Sequence, residues 1–130
     1  MEKAYELVRL LEKDFDLESI IAREEPGMGR SLMEMLKEEL SRCNYAFALL
    51  TQDDFVKDDG EAYPQARPNV YLEIGMLLQI LGKDRVCLLT QDSVQLPSNL
   101  GGFKRHRFVH DVAEVGTMIR RELIAAGLIS

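Results

Sequence analysis

Glu73 is the residue whose surroundings point most directly to chemistry. It is the only charged residue between Pro68 and Gly82, within a run that is apolar on nearly every side. Burying a carboxylate without partners costs on the order of several kcal/mol, so Glu73 must be satisfied by another group. That group is either a structural partner, such as a loop N–H or an arginine, or a ligand in a cleft. In a cleft, the helix dipole would favour the ionised carboxylate.

The run around Glu73 predicts a helix over residues 68–82. Pro68 suits the first helical turn, and Gly82 is a stop signal at the other end. Apolar residues on all sides predict a helix that is buried all round or nearly so. Gly75 lies inside this helix, where glycine costs about 1 kcal/mol relative to alanine. Its presence suggests that a backbone or a ligand approaches the helix closely there.

Composition indicates one ordinary globular domain over residues 1–130, with a net charge of −6 and acids and bases mixed along the chain. No lysine- or arginine-rich tract is long enough for a nucleic-acid interface. The basic run at 104–107 is predicted to be a solvated loop or a local anion contact. We therefore expect no nucleic-acid partner.

Cys43 and Cys87 are single cysteines beside apolar runs, without paired spacing for a metal or a redox centre. Both are predicted to be reduced, mostly buried thiols of a cytoplasmic protein, and no metal site is expected. No apolar run is long enough to cross a bilayer, so no membrane partner is expected. The charged, amphipathic N-terminus does not resemble a secretion signal.

The hydrophobic pattern predicts strands that alternate with helices. Helices are expected at 2–13, 31–42, 68–82 and 112–126, and strands at 17–22, 45–51, 85–90 and 107–109; long loops are expected at 52–67 and 91–102. The strands at 45–51 and 85–90 are apolar on both faces, as central parallel strands are. This order predicts a three-layer α/β domain with a parallel sheet.

Ligands of such sheets bind outside the carboxyl ends of the strands. The segments that leave those ends are residues 24–30, Asp53 with Asp54, and residues 91–96. The loop after Thr51 also leads to the helix that carries Glu73. The topology therefore places Glu73 near the mouth of the expected binding site.

The chain contains a series of short motifs, of which the most specific is Ala66-Arg67-x-Asn69-Val70-x-x-Glu73-x-Gly75. The others are Glu24-Glu25-Pro26, Gly29-Arg30, Leu50-Thr51-Gln52-Asp53-Asp54, Arg85-Val86-Cys87-Leu88-Leu89, and Leu96-Pro97-Ser98-Asn99-Leu100 with Gly102. In order and in separation, these motifs resemble the bacterial and archaeal TIR-like nucleotide-binding family over roughly residues 4–110.

The resemblance implies a flavodoxin-like TIR-type fold and a role in antiphage defence. Members of the family act as effectors of CBASS and Pycsar systems, in which a cyclic nucleotide assembles them and they destroy NAD. The resemblance implies a catalytic role for Glu73, with Asp53, Asp54, Arg67 and Asn69 around the same pocket. It also implies a homo-oligomer, a cyclic-nucleotide sensor as a possible partner, and NAD as a substrate rather than a cofactor.

The chemistry of NAD cleavage is compatible with a site that contains a single carboxylate. Nicotinamide leaves from a position where it already carries positive charge, so no strong general acid is needed. An ionised carboxylate near the oxocarbenium-like ribose helps instead, as in glycoside hydrolysis. Arg30 and Arg67 are candidates for the pyrophosphate oxygens, since guanidinium binds them in two-pronged geometry. Each arginine has a surface or interloop salt bridge as its alternative role.

The chain departs from the family at its start, because members begin with a β-strand and Met1 here leads directly into the first helix. In the strand order 2-1-3-4-5 that strand lies inside the sheet. Three explanations are open: a coding start placed too far downstream, a sheet that closes with residues 17–22 beside 45–51, or a strand from another subunit.

Other functions are open beside NAD hydrolysis. A non-catalytic module would bind a nucleotide or assemble with another TIR-like domain, and Glu73→Gln would then change nothing measurable. A stable, inactive remnant would hold Glu73 only as a structural acid. A nucleoside deoxyribosyltransferase-like enzyme is a third possibility, since such enzymes share a related α/β plan and use a glutamate on ribose.

Overall fold

Within the part of the chain that the structure describes, three parallel strands form a central sheet, and a separate antiparallel hairpin follows the first of them in sequence. The computed structural model describes residues 2–19, 34, 37, 38, 40–51, 54–58, 61–65, 68–96, 100 and 102–130, with only the backbone at 2, 54–58, 61–65 and 68–70. The strands are β1 Ala46–Leu50, β2 Asp54–Asp58, β3 Glu61–Gln65, β4 Val86–Gln91 and β5 Lys104–Phe108; the sheet has the order β1-β4-β5, and the hairpin is β2-β3. The helices are α1 Glu2–Asp14, α2 Pro68–Leu81 and α3 Gly116–Ala125, with 3-10 turns at Lys83–Arg85 and Val112–Val115.

The middle strand β4 is buried on both faces, as predicted from its apolar sequence. Its residues alternate between two hydrophobic clusters. Val86 and Leu88 face the side covered by α2, whereas Cys87 and Leu89 face the side covered by α1 and α3. The sheet therefore has helices on both faces, which confirms the three-layer α/β class and a TIR-type fold with a parallel sheet.

Helix α1 covers its side of the sheet through one apolar stripe. Leu7 and Leu11 are buried one turn apart, in the same cluster as Ile119 and Leu123 of α3. Lys3 anchors the start of the helix, because its ammonium donates a hydrogen bond to the His110 carbonyl after β5. α1 ends one residue beyond its predicted bound, whereas the helix predicted over 112–126 is a 3-10 turn at Val112–Val115 followed by α3.

Helix α2 has the predicted bounds but is not buried all round. It begins at Pro68 and ends at Leu81, followed by Gly82 with a φ of 88°, a conformation that favours glycine. One side, with Ile74 and Leu77, is buried. Leu72, Leu78 and Ile80 are among the most exposed large apolar residues of the described chain, which corrects the prediction.

The region predicted as a long loop at 52–67 contains the hairpin β2-β3. Its strands pair antiparallel from Asp54 opposite Gln65 to Asp58 opposite Glu61. Asp59-Gly60 separates the strands in sequence, and this dipeptide is among the strongest short hairpin signals. The prediction of a loop at 54–65 was wrong, because the polar residues at the ends of both strands resemble a loop sequence.

Two other predicted elements differ. The basic run at 104–107 is not a solvated loop but most of strand β5, in which exposed and less exposed residues alternate. Charged residues suit this position because β4 is the one neighbour of β5 in the described sheet, and charge protects an edge strand from aggregation. Of the strand predicted at 17–22, residues 17–19 are not in a strand, and residues 20–22 lie outside the described residues. Much of the helix predicted at 31–42 also lies outside them, but residues 34, 37, 38 and 40 are helical.

Glu114 stabilises the turn that connects β5 to α3. Its carboxylate accepts backbone N–H groups from Asp111 at 2.7 Å, His110 at 2.8 Å and Val109 at 2.9 Å. These three bonds, of which the one from Asp111 has the largest effect, lower the pKa of Glu114 to about 2. The bonds favour the charged form, so the ionised carboxylate orders the turn before the last helix.

We expect Glu114→Gln to lower the melting temperature at pH 7, because the amide replaces an ionised acceptor of three N–H groups. The contribution of a carboxylate with a lowered pKa is present above its unfolded pKa near 4.5 and is lost as pH falls through about 2. The difference between wild type and variant should therefore shrink from pH 5 downward. Thermal unfolding followed by circular dichroism measures it. Glu12→Gln on exposed α1 is the control, and an equal effect of both changes would contradict the assignment.

Thr90 of β4 is fully buried, and within the described chain its hydroxyl has no hydrogen-bond partner. We expect Thr90→Val to raise the free energy of unfolding by about 1 kcal/mol, because a methyl group removes an unsatisfied buried hydroxyl. Urea denaturation measures the change. Thr117→Val, at an exposed position of α3, should stay within about 0.5 kcal/mol of wild type. A loss of stability in Thr90→Val would instead reveal a partner for the hydroxyl.

Candidate functional site

The connection from β1 to β4 positions Glu73 at the carboxyl edge of the sheet. β1 and β4 are parallel neighbours, so the chain must return from the carboxyl end of one strand to the amino end of the other. The hairpin and α2 make this return, and α2 therefore begins near the carboxyl edge. Glu73 lies five residues after Pro68, or about 7.5 Å along the helix axis.

Glu73 lies at the border between the covered and the exposed sides of α2. Its own side chain is partly buried, whereas Ile74 is buried and Leu72 is 51% exposed. It takes part in a polar interaction, in line with the expectation that a carboxylate here must be satisfied. The described first turn of α2 contains no acidic residue, so Glu73 is the first carboxylate to meet the positive end of the helix dipole.

The other predicted site residues are described in part. Asn69 lies on α2 one helical turn before Glu73, and Asp54 opens β2 just beyond the carboxyl end of β1. For both, the backbone position is consistent with the expected pocket. Arg30, Asp53 and Arg67 lie outside the described residues, so their roles stay predictions.

Gly75 is not explained by packing within the described chain. A Cβ placed at residue 75 meets no described atom within 4 Å. The glycine therefore leaves open space on the side of α2 that also exposes Leu72 and Leu78. Among the residues that the structure describes, no backbone makes the predicted close approach.

Two residues at the carboxyl edge of the sheet were not among the predicted site residues. Thr90, whose buried hydroxyl has no hydrogen-bond partner among the described residues, lies in register between Leu50 of β1 and Arg107 of β5. Ser93 follows β4 with a φ of 73°, a left-handed conformation that is uncommon for a residue other than glycine. Thr90 was detectable as the polar residue that follows four apolar residues in the strand. The strain at Ser93 has no comparable signal in the sequence.

A second group of titratable side chains lies around Glu122, on the face of the sheet away from α2. The carboxylate is 3.4 Å from Nε2 of His106 and 3.6 Å from Nζ of Lys104. The Tyr45 hydroxyl is buried beside it without a hydrogen bond of normal geometry. Burial raises the pKa of Tyr45 above its usual range and that of the Cys87 thiol to about 12. Both groups therefore stay neutral, and the cluster stabilises the contact of α3 with β5.

Cys43 and Cys87 are thiols rather than halves of a disulfide, and Cys87 is fully buried, as predicted. Among the described residues, no group of three or more histidine, cysteine, aspartate or glutamate side chains could hold a metal ion. Within the same part of the chain, no helix has both the length and the apolar character needed to cross a membrane.

Comparison with known proteins agrees with the fold. Residues 1–110 match the family model described as CAP12/Pycsar effector protein, TIR domain. The chain is 28% identical over 108 residues to the Pycsar effector protein BcPycTIR of Burkholderia cepacia, covering 75% of this chain and 36% of that protein. It is 26% identical over 103 residues to CD-NTase-associated protein 12 of Sphingobacterium faecium, covering 79% and 32% respectively.

A third relative is the Pycsar effector protein PaPycTIR of Pseudomonas aeruginosa, which is 39% identical over 72 residues, or 54% of this chain and 23% of that protein. The chain spans about a third of the length of the first two relatives. The match with the family model covers most of the chain. The protein therefore belongs to the TIR-domain family of CAP12 and Pycsar antiphage effectors.

Proposed function

We propose that this chain is an NAD glycohydrolase domain in which Glu73 is the catalytic carboxylate. The observation that supports this most is the position of Glu73, a lone charge on an apolar helix, in the second turn of α2 at the carboxyl edge of the sheet. Ligands of parallel α/β sheets bind at this edge. Membership of a family that includes a Pycsar effector protein supports the same assignment.

In the proposed reaction, the bond between ribose C1′ and the nicotinamide nitrogen breaks, and its electron pair moves to that nitrogen. The positive charge of the ring is thereby neutralised and appears on the ribose as an oxocarbenium-like cation. The Glu73 carboxylate stabilises this cation electrostatically. Water then adds to C1′ and releases a proton to solvent, which gives nicotinamide and ADP-ribose.

Substrate binding is assigned to residues around the same edge. Arg30 and Arg67 would bind the pyrophosphate oxygens, because guanidinium groups bind such oxygens in two-pronged geometry. Asp53, Asp54 and Asn69 would line the remainder of the pocket. Activity would require homo-oligomerisation, driven by a cyclic-nucleotide sensor region or partner.

The second candidate function is a non-catalytic assembly module that binds a nucleotide or another TIR-like domain. The uncharged exposed side of α2, with Leu72 and Leu78, favours this alternative, because such a surface suits contact with another protein. In a module of this kind the charge of Glu73 would have no measurable effect on behaviour.

We expect Glu73→Gln to abolish nicotinamide release from NAD, with a loss of at least about a hundredfold, because the amide cannot offset the charge of the transition state. The assay is chromatography of nicotinamide at high protein concentration with a crowding agent. The melting temperature should change little, since the two side chains have similar shapes.

Glu12→Gln, at an exposed carboxylate of α1, is the matched control and should retain full activity. Equal release by wild type and Glu73→Gln would contradict the catalytic assignment. A folded wild type that releases no nicotinamide at any concentration would favour the assembly module.

A further inference from the structure

The outer edge of β5 carries main-chain groups that the sheet does not use. The N–H of Asp92, which follows β4 directly, donates to the Phe108 carbonyl at 2.6 Å, so the main chain of Phe108 faces β4. Successive residues of a strand turn their N–H and C=O groups to opposite sides, so those of Arg105 and Arg107 face away from β4. We call these N–H and C=O groups of Arg105 and Arg107 the outer edge of β5.

Among the residues that the structure describes, no partner occupies this edge. β4 is the only described strand that pairs with β5, and no described group forms a hydrogen bond with the outer edge. The next outward N–H, that of Val109, is already used, because it donates to the Glu114 carboxylate at 2.9 Å. Strand edges with unpaired N–H and C=O groups are templates for the addition of another strand.

The arginine side chains of this edge lie on the face of the sheet that packs against α2. Arg105 is in register with Leu88, and Arg107 is in register with Thr90, so their side chains point to the same face. Both arginines are exposed. Arg107 Nη1 donates to the Val94 carbonyl at 3.3 Å. No carboxylate among the described side chains forms an ion pair with either arginine, so two positive charges lie beside the unpaired edge.

On the opposite face, the positive charge of β5 is offset within the fold. Lys104 Nζ lies 3.6 Å from the Glu122 carboxylate, and His106 Nε2 lies 3.4 Å from it. The positive charge that lacks a described acidic partner is therefore confined to the face with Arg105 and Arg107. Since side chains of a strand alternate between faces, an added strand would offset this charge with acidic residues at every second position.

Charge and main-chain pairing together decide which kind of partner suits the edge. Basic side chains oppose pairing with another basic edge, so β5 of a second copy is unfavourable here. A second copy also carries the same net charge of −6, which opposes its approach. A nucleic acid would offset the arginines but has no peptide groups for the N–H and C=O groups of the edge. An extended acidic peptide satisfies both requirements.

We propose that the outer edge of β5 binds an extended acidic segment of another protein, which joins the sheet as an additional strand. The main-chain groups of Arg105 and Arg107 pair with the segment and supply affinity. The two guanidinium groups contact acidic side chains at alternate positions and supply specificity. Because the edge is short, binding should be weak and should weaken further as salt is added. The proposal goes beyond NAD cleavage and does not depend on it.

Fluorescence anisotropy with a short labelled peptide, in which glutamate alternates with valine, tests the proposal over about 10 µM to 1 mM protein. Binding should be saturable, because the peptide places every glutamate on the face of the two arginines. A peptide of the same length with lysine in place of glutamate should bind at least tenfold more weakly.

Main-chain pairing is tested separately with two N-methylated forms of the glutamate peptide, each blocking one alternate set of N–H groups. An added strand turns one of these sets towards β5 and the other away from it. Methylation of one set should therefore weaken binding at least tenfold, whereas methylation of the other should leave it nearly unchanged. The glutamate peptide should also slow hydrogen exchange at the N–H groups of Arg105 and Arg107, measured by NMR.

Arg105→Glu should weaken binding of the glutamate peptide at least tenfold and strengthen binding of the lysine peptide, because the charge at the edge is reversed. The melting temperature should change little, since Arg105 is exposed. The matched control is Arg9→Glu, which makes the same charge change at an exposed position of α1 and should leave both affinities unchanged.

Absence of saturable binding at 1 mM protein would overturn the proposal, as would equal binding of the glutamate and lysine peptides. Equal effects of the two methylated forms would exclude strand addition. Slow exchange at Arg105 and Arg107 in the protein alone, appearing as its concentration rises, would assign the edge to a second copy instead. Nicotinamide release plays no part in these measurements, so this proposal and the proposed function can fail independently.

Discussion

The burial of β4 on both faces is the constraint on which the rest of the fold depends. From Val86 to Thr90 every residue of this strand is fully buried. Since successive side chains point to opposite faces, both faces of the sheet must be covered. α2 covers one, and α1 with α3 covers the other. A slip of one residue in this strand would exchange the two clusters, so the alternation also determines the register with β1 and β5.

The same constraint positions the candidate catalytic residue. Parallel pairing of β1 with β4 requires a crossover, and α2 is the part of it that packs on the sheet. The amino end of α2 is thereby held at the carboxyl edge, where Glu73 follows in the second turn. Ile74 and Leu77 hold this helix against the core, so the orientation of Glu73 is determined by the packing of its neighbours.

Sequence patterns were informative where local physics decides the structure. β1, β4, α1 and α2 were predicted closely, because two-sided apolar strands, a one-sided amphipathic stripe, Pro68 and Gly82 are local signals. The hairpin β2-β3 was missed since its polar strands resembled a loop. The exposed side of α2 could not be foreseen, because hydrophobicity does not reveal which side of a helix a sheet covers. Glu73 was identifiable as a lone charge, whereas the burial of the Thr90 hydroxyl depends on packing in three dimensions.

Glu73 and Glu122 are both partly buried helix residues, but their chemical surroundings differ. Glu122 lies beside Lys104 and His106, so β5 supplies the compensating charge on the face covered by α3. That arrangement satisfies the carboxylate within the fold and leaves no requirement for a ligand. Glu73 lies instead on a helix with no other charged residue, at the edge where parallel sheets bind ligands. A cationic transition state would gain less from Glu122 in any case, because Lys104 already opposes the charge of that carboxylate at 3.6 Å.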